Sequence, residues 1–302
     1  MKKLVLNITL LLLTLLGVGS CNIKEDMSDC QGAMILDYSA YSDVVLDAIN
    51  YDEQIDIFVF DPNGICIKVY NFVYGEFQKS NFQFSLPIEY RGYNAVVWQG
   101  IRSENYDSST MALGKRYENF YLNLLYDTAT GSYAGVPDPL WASPIEPIDY
   151  CAKITRHRVY MTRLHTEVKL NLKMQLSAGS IVDLDANDYE AKITVANDSY
   201  NTDYTLNPEC KSIDYTNIGA DIGTLRLTTD MDCTLSVGEV SLDLIKYMLA
   251  TKTDSSLSDQ EFLDRTKIWE IDLIVKVSDK GYVAVMLSIN GWVQWFSDGG
   301  LS

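Results

Sequence analysis

The feature that most constrains this fold is a strict alternation of side chains between residues 163 and 174. One set points one way (Leu164, Thr166, Val168, Leu170, Leu172 and Met174) and the other set points the opposite way (Arg163, His165, Glu167, Lys169, Asn171 and Lys173). Successive side chains of a strand project from opposite faces, so this period of two indicates a strand with one buried face. We predict a half-buried antiparallel strand, with His165 exposed on its polar face.

Nine further segments show strand signals, either alternation or short runs rich in β-branched and aromatic residues. They are Met34 to Tyr38, Ile55 to Phe60, Ile65 to Tyr70, Phe82 to Leu86, Asn94 to Trp98, Ala191 to Val195, Leu225 to Thr228, Trp269 to Val277 and Tyr282 to Ile289. The clearest turns between them are Asp61-Pro62-Asn63-Gly64 and Ser278-Asp279-Lys280-Gly281. One helix has a clear start, where Ser258 and Glu261 form a capping-box pattern. Many short strands separated by turns predict an all-β protein built from β-sandwiches.

Proline marks the predicted division of the chain. Four of the seven prolines, Pro137, Pro139, Pro144 and Pro147, lie within one short stretch. Proline interrupts secondary structure and stiffens connections, so we interpret this stretch as an interdomain linker. The prediction is an N-terminal β-sandwich domain over residues 31–146 and a C-terminal β-sandwich domain over residues 147–302.

The first 20 residues read as a secretory signal. Lys2 and Lys3 precede an apolar run from Leu4 to Leu16, and small residues follow up to Cys21. The run is shorter than the roughly 20 residues that a transmembrane helix needs. The exit Val18-Gly19-Ser20-Cys21 resembles a lipobox, which predicts a diacylglycerol lipid on Cys21 and a lipidated tether over residues 21–30. The alternative is ordinary signal cleavage after Ser20.

The net charge of the chain bears on which kinds of partner it can bind. The formal net charge is −17, and the loss of Lys2 and Lys3 with the signal makes it more negative. Such an acidic chain argues against nucleic-acid binding, because phosphates require stripes of Lys and Arg.

Beyond Cys21 there are five cysteines, Cys30, Cys66, Cys151, Cys210 and Cys233. Five is odd and the spacings match no compact disulfide framework; Cys210 with Cys233 is the preferred pair if any forms.

The sequence predicts no catalytic, cofactor or metal site. The chain has only two histidines, His157 and His165, and contains no zinc, nucleophile-elbow or phosphate-loop motif. The segment from Asp183 begins like a calcium loop, but its sixth position is Asp188 instead of Gly and its twelfth is Thr194 instead of Glu. We interpret it as an acidic turn. A glycosidase-like carboxylate pair cannot be located from sequence.

The tryptophans bear on carbohydrate binding, which uses flat aromatic platforms. Trp98, at the end of an apolar strand, is predicted to lie in the core. Trp292 and Trp295 are an odd number of residues apart, so in a continuous strand they point to opposite faces. They therefore do not form one platform.

Several segments together resemble one family. The segment Cys21-Asn22-Ile23-Lys24-Glu25-Asp26-Met27-Ser28-Asp29-Cys30, directly after the lipobox, resembles the mature N-terminus of fimbrillin-associated anchor proteins, the basal subunits of type V fimbriae. Later segments fit the same family in the same order: Ile57 to Gly64, Tyr93 to Trp98, Leu164 to Leu172 and Ser288 to Trp292.

The resemblance implies two tandem transthyretin-like antiparallel β-sandwich domains after the signal peptide. It also implies attachment to the outer membrane through Cys21 and a role in holding and limiting a fimbrial shaft. Glu25-Asp26, close behind the lipid site, is similar to signals that send such lipoproteins to the cell surface. The implied partner is a fimbrial shaft subunit, bound through strand pairing.

One sequence feature separates an anchor from a shaft subunit. The resemblance implies that fimbrillins of this type lose their lipidated N-terminal segment to a trypsin-like protease. Here no Lys or Arg occurs between Lys24 and Lys68, so such a protease finds no site where cleavage is usual. We therefore predict a non-enzymatic anchor that keeps its lipid. The alternatives are a surface glycan-binding lipoprotein and, third, a glycosidase-like enzyme.

Overall fold

The structure is a computed structural model that describes residues 33–37, 54–148, 156–266, 268–279 and 281–296. The predictions for the signal segment, Cys21, the tether, Cys30 and Cys151 lie outside these residues.

The described residues form 23 strands and three α-helices. The strands are β1 (Ala33–Asp37), β2 (Gln54–Phe60), β3 (Cys66–Val73), β4 (Gln83–Ser85), β5 (Asn94–Gln99), β6 (Tyr106–Asp107), β7 (Tyr121–Leu124), β8 (Ser132–Ala134), β9 (Trp141–Ala142), β10 (Glu146–Pro147), β11 (Arg156–Tyr160), β12 (Thr162–Arg163), β13 (His165–Gln175), β14 (Ile181–Asp183), β15 (Ala191–Ala196), β16 (Ser199–Asn201), β17 (Ser212–Thr216), β18 (Asp221–Leu225), β19 (Cys233–Val237), β20 (Val240–Asp243), β21 (Ile268–Ser278), β22 (Gly281–Ile289) and β23 (Trp292–Trp295). The helices are α1 (Tyr74–Lys79), α2 (Leu244–Ala250) and α3 (Asp259–Arg265).

These strands assemble into five sheets, which we number I to V. Sheet I has the order β11-β1-β4. Sheet II has the order β12-β9-β5-β2-β3, with β10 also paired to β5. Sheet III has the order β14-β13-β21-β22-β23, with β18 also paired to β13. Sheet IV has the order β20-β19-β15-β17-β8, and sheet V the order β16-β7-β6. The expectation of an all-β protein is confirmed.

Sheet II lies between two apolar cores because its strands carry buried side chains on both faces. Ile57 faces the smaller core, which it shares with Leu36 of β1. Phe58, its neighbour in sequence, faces the larger core, which extends to Trp269 in sheet III. Strands buried on both faces read as continuous apolar runs, which explains the sequence Ile-Phe-Val-Phe at the end of β2.

The predicted alternation of β13 is confirmed, but its pairing differs from the prediction. Val168, Leu170 and Leu172 are buried. β13 runs antiparallel to β14 and β18, whereas it runs parallel to β21 over nine register pairs. The prediction of a purely antiparallel strand was therefore wrong. Alternation reports which face is buried, and strand direction depends on connections that local sequence does not encode.

The prediction that His165 is exposed was also wrong. Its side chain is buried, and Nδ1 accepts a hydrogen bond of 3.2 Å from the backbone N–H of Leu140. Burial lowers the pKa of this imidazole. Arg163, on the same face, is also buried and donates to the carbonyl of Thr266. Both faces of the chain are thus covered at the start of β13, because other segments pack over its polar face there.

The proline-rich stretch is part of sheet II instead of a free linker. β9 and β10 both pair with β5, and Leu140, Trp141 and Ser143 are buried. Proline fits here because these strands are only two residues long. Strands from both sides of the predicted boundary pair with each other, as β1 does with β11 and β7 with β16. The division into two domains stays a prediction.

Other local predictions have mixed outcomes. The capping box at Ser258 and Glu261 is present and begins α3. Most predicted strands lie within a few residues of their expected bounds, but the strand expected over Leu225 to Thr228 ends at Leu225 as β18. Within the described part of the chain, no helix is both long and apolar enough to cross a membrane.

Candidate docking site

The acidic segment that begins at Asp183 contains the end of β14 and a turn. There Asp185 accepts a hydrogen bond of 2.9 Å from the backbone N–H of Asn187. This hydrogen bond lowers the pKa of Asp185, which favours the charged carboxylate of a solvated turn. Across the residues that the structure describes, no group of three or more His, Cys, Asp or Glu side chains could hold a metal ion.

Burial disfavours the thiolate form of the three cysteines within the described residues. Cys66, Cys210 and Cys233 are free, so the preferred pairing of Cys210 with Cys233 was wrong. Burial raises the pKa of Cys66 to about 11 and that of Cys233 to about 12. Burial also raises the pKa of Cys210. Cys66 and Cys233 are buried and pack as small residues in the larger core, whereas Cys210 is half-buried.

The tryptophans do not form a common platform. Trp98, Trp141 and Trp269 are fully buried, which confirms Trp98 as a core residue. Trp292 packs against the larger core, whereas Trp295 is 63% exposed. These last two therefore face opposite sides of β23, as the odd spacing predicted.

The exposed Trp295 lies on β23, the last strand at one edge of sheet III. β23 pairs with β22 alone among the described strands. The two strands are joined by Asn290-Gly291, whose φ angles of 48° and 83° are those of a tight hairpin turn. Asn290 is held in this conformation by its side chain, which accepts a hydrogen bond of 2.8 Å from the N–H of Glu270. The hairpin therefore fixes the register of the edge strand.

This register determines which backbone groups of β23 face outward. Trp292 lies opposite Ile289 and Gln294 opposite Leu287, and the N–H of Phe296 donates to the carbonyl of Val285. In a two-residue hairpin, the two residues that flank the turn form a hydrogen-bonded pair, and so does every second pair beyond them. The backbone N–H groups of Val293 and Trp295 thus point away from β22, toward the open side of the sheet.

The solvent-facing side of sheet III near this edge carries a short apolar patch, beside a row that contains Ser288 and Asp272. One row of register partners runs from Lys173 on β13 through Ile274 and Met286 to Trp295. Ile274 is only 5% exposed although it lies on the outer face, and Val293 beside Trp295 is 45% exposed. A strand that carries apolar side chains next to outward N–H groups is a surface to which another strand can be added.

The edge of sheet II that is formed by β3 is less open than the edge formed by β23. β3 pairs with β2 along its length, and its first residue, Cys66, is also covered. The N–H of Cys66 donates to the carbonyl of Lys115 and its carbonyl accepts from the N–H of Gly114. Helix α1 follows directly after its last residue, Val73. The edge at β23 is therefore more open than the edge at β3.

The five sheets and the three short helices define a class, that of multi-sheet all-β proteins. The chain belongs to the family of fimbrillin-A associated anchor proteins Mfa1 and Mfa2, whose family model matches residues 27–298. The predicted family resemblance is confirmed. No curated protein sequence matches the chain.

Solved structures agree with this assignment at the level of the fold. The fimbrial anchor protein Mfa2 from Porphyromonas gingivalis has a TM-score of 0.63 at 19% identity, over 87% of this chain and 98% of that chain. A candidate adhesin from Bacteroides ovatus has a TM-score of 0.72 at 17% identity, over 91% and 98%. A candidate polysaccharide-binding protein from Bacteroides thetaiotaomicron has a TM-score of 0.69 at 19% identity, over 89% and 99%.

Two features of the docking edge were missed from the sequence. β23 was not among the predicted strands, although Asn290-Gly291 between apolar residues is a strong hairpin signal. The row from Lys173 to Trp295 could not be predicted from local sequence, because its members become neighbours only through the order of strands in sheet III.

Proposed function

We propose that this protein is a non-enzymatic anchor for a type V fimbria. A lipid on Cys21 holds it in the outer membrane at the cell surface, and its β-sheets bind a fimbrial shaft subunit through strand pairing. In this role it supports or limits assembly of the shaft. The observation that carries the proposal is the match of residues 27–298 to the anchor family.

The geometry of β23 supports strand pairing at this edge. The partner strand would accept hydrogen bonds from the outward N–H groups of Val293 and Trp295, and its apolar side chains would cover Val293, Met286 and Trp295. Backbone hydrogen bonds supply general affinity in such complexes, while side-chain pockets supply selectivity. Burial of an exposed tryptophan would contribute strongly, because aromatic residues dominate the energetics of many interfaces.

The position of β1 supports permanent attachment to the membrane. β1 is the central strand of sheet I, between β11 and β4, and Met34 and Leu36 are buried. The absence of Lys and Arg between Lys24 and Lys68 leaves no tryptic site near this strand. The N-terminal strand would therefore stay in the folded body and keep the body joined to the lipid.

Membrane attachment is tested by the intact mass and detergent partitioning of the native protein beside a Cys21→Ala variant. We expect a diacylglycerol adduct and membrane association in the native protein, with both absent in the variant. A native protein that is soluble and carries no lipid would contradict the proposal.

Docking is tested by capture of fimbrillin purified from the same cells. Val293→Pro removes an outward N–H without breaking the ladder to β22, since proline is tolerated on an edge strand. We expect Val293→Pro to abolish capture and the control Val293→Thr, which keeps the N–H, to retain it. Equal capture by both variants would rule out strand pairing at β23.

A further inference from the structure

The N-terminal strand is held on both sides in a way that resists pulling along the chain. β1 runs parallel to β11 over five register pairs, from Ala33 opposite Arg156 to Asp37 opposite Tyr160. On its other side β1 pairs antiparallel with β4, and the N–H of Leu36 donates to the carbonyl of Phe82 at 3.0 Å.

Side chains reinforce this pairing. Met34 and Leu36 are 1% and 3% exposed and lie in the smaller core. The carboxylate of Asp37 accepts a hydrogen bond of 2.9 Å from the guanidinium of Arg158 on β11. The carbonyl of the same residue accepts from the N–H of Met161 at 3.0 Å. β1 cannot slide along β11 without losing all of these contacts together.

The parallel direction decides how a load would act. The lipid site precedes β1 in the chain, whereas β13 and sheet III follow β11. A pull between the membrane and sheet III therefore acts on the N-terminal end of β1 and on the C-terminal end of β11. In a parallel pair these are opposite ends, so the two strands are sheared and their hydrogen bonds carry the load simultaneously. Pulling both strands from the same end would instead open the bonds one after another.

We propose that β1 and β11 form a mechanical clamp that carries tension between the membrane and a docked fimbria. This inference rests on the proposed function, because the tension arises only if a lipid holds Cys21 and a subunit binds beyond β11. The clamp lets the folded body withstand tension that would otherwise pull β1 out of sheet I and begin to unfold the protein.

The test is single-molecule pulling on the full mature chain in two directions. One handle is attached at the N-terminus in both cases. In the shear geometry the second handle is at Ser177, in the exposed turn after β13; in the peeling geometry it is at position 156, the first residue of β11. We expect the first rupture to need a clearly higher force in the shear geometry. Equal forces in the two geometries would overturn the clamp.

Variants check that the rupture reports on β1. Leu36→Ala should raise the rupture rate at constant force in the shear geometry about tenfold or more, because forced unfolding follows the unfolding rate and a buried leucine stabilises the strand. The control Leu235→Ala removes an equally buried leucine on β19 in sheet IV and should leave this rupture unchanged. If Leu36→Ala does not fold, Leu36→Val provides a milder change.

Equal effects of the β1 and β19 variants would overturn the inference, since rupture would then report general stability. Membrane partitioning of the native protein separates the two proposals. A lipidated protein with weak N-terminal pairing would overturn the clamp and leave the anchor intact.

Discussion

The indole N–H of Trp98 donates a hydrogen bond of 3.1 Å to the backbone carbonyl of Thr202, which lies 104 residues further along the chain. Both residues are buried, and the hydroxyl of Thr202 in turn donates to the carbonyl of Phe120. This contact joins sheet II to the segment after β16, so it ties the larger core together across the predicted domain boundary. A buried indole N–H finds a partner of this kind because leaving it unpaired is costly.

Trp98→Phe should lower the free energy of unfolding by about 2 to 4 kcal/mol. The change removes the hydrogen bond to Thr202 and leaves a cavity in the larger core. Urea unfolding, followed by circular dichroism, measures the effect. Trp295→Phe is the matched control at an exposed site and should change the free energy by less than about 0.5 kcal/mol. Similar losses in both variants would contradict the assigned burial.

Removing only one partner of the ion pair between Arg226 and Asp264 should strongly destabilise the protein. Two hydrogen bonds of 2.8 Å join them, and each side chain is 14% exposed. Arg226→Met leaves a buried carboxylate without its partner, so we expect a loss of about 3 to 5 kcal/mol. The double variant with Asp264→Leu should lose less than the sum of the single variants. A double-mutant cycle by urea unfolding measures this coupling, and additive losses would contradict it.

The buried His165 should make the protein less stable in mild acid. Burial lowers its pKa below the usual 6.5, so the unfolded chain binds a proton that the folded chain does not. The free energy of unfolding should therefore fall as the pH drops below about 6.5, by up to about 1.4 kcal/mol per pH unit. Above that pH this group contributes no dependence. Unfolding of the native protein and of His165→Asn between pH 5 and 8 measures the difference; parallel curves would show that His165 is not responsible.

Gly291→Ala should loosen β23 without disturbing the rest of sheet III. Gly291 has a φ of 83°, and a Cβ atom there meets no atom within 4 Å. The cost is thus conformational, about 1 to 2 kcal/mol, because L-residues other than glycine rarely adopt this angle. Hydrogen exchange of the Gln294 amide should accelerate, while that of Leu172 in β13 should change much less. Equal acceleration at both amides would indicate global destabilisation instead.

Local patterns in the sequence predicted much of the fold. The apolar positions of β13, the strands β2 and β5, the capping box of α3 and the core position of Trp98 each depend on neighbours within a few residues. The family resemblance came from short segments in a fixed order. The candidate docking edge was harder to predict from the sequence, because β23 is only four residues long.

The sequence by itself determined that this chain forms strands, which of their faces are mostly apolar, and which family it belongs to. Only the tertiary structure decided that β13 lies parallel to β21, that His165 is buried beneath Leu140, and that β23 ends sheet III with two N–H groups facing outward. The physical reason is that alternation records one buried face of a strand, whereas strand partners and their directions depend on packing between segments far apart in the chain.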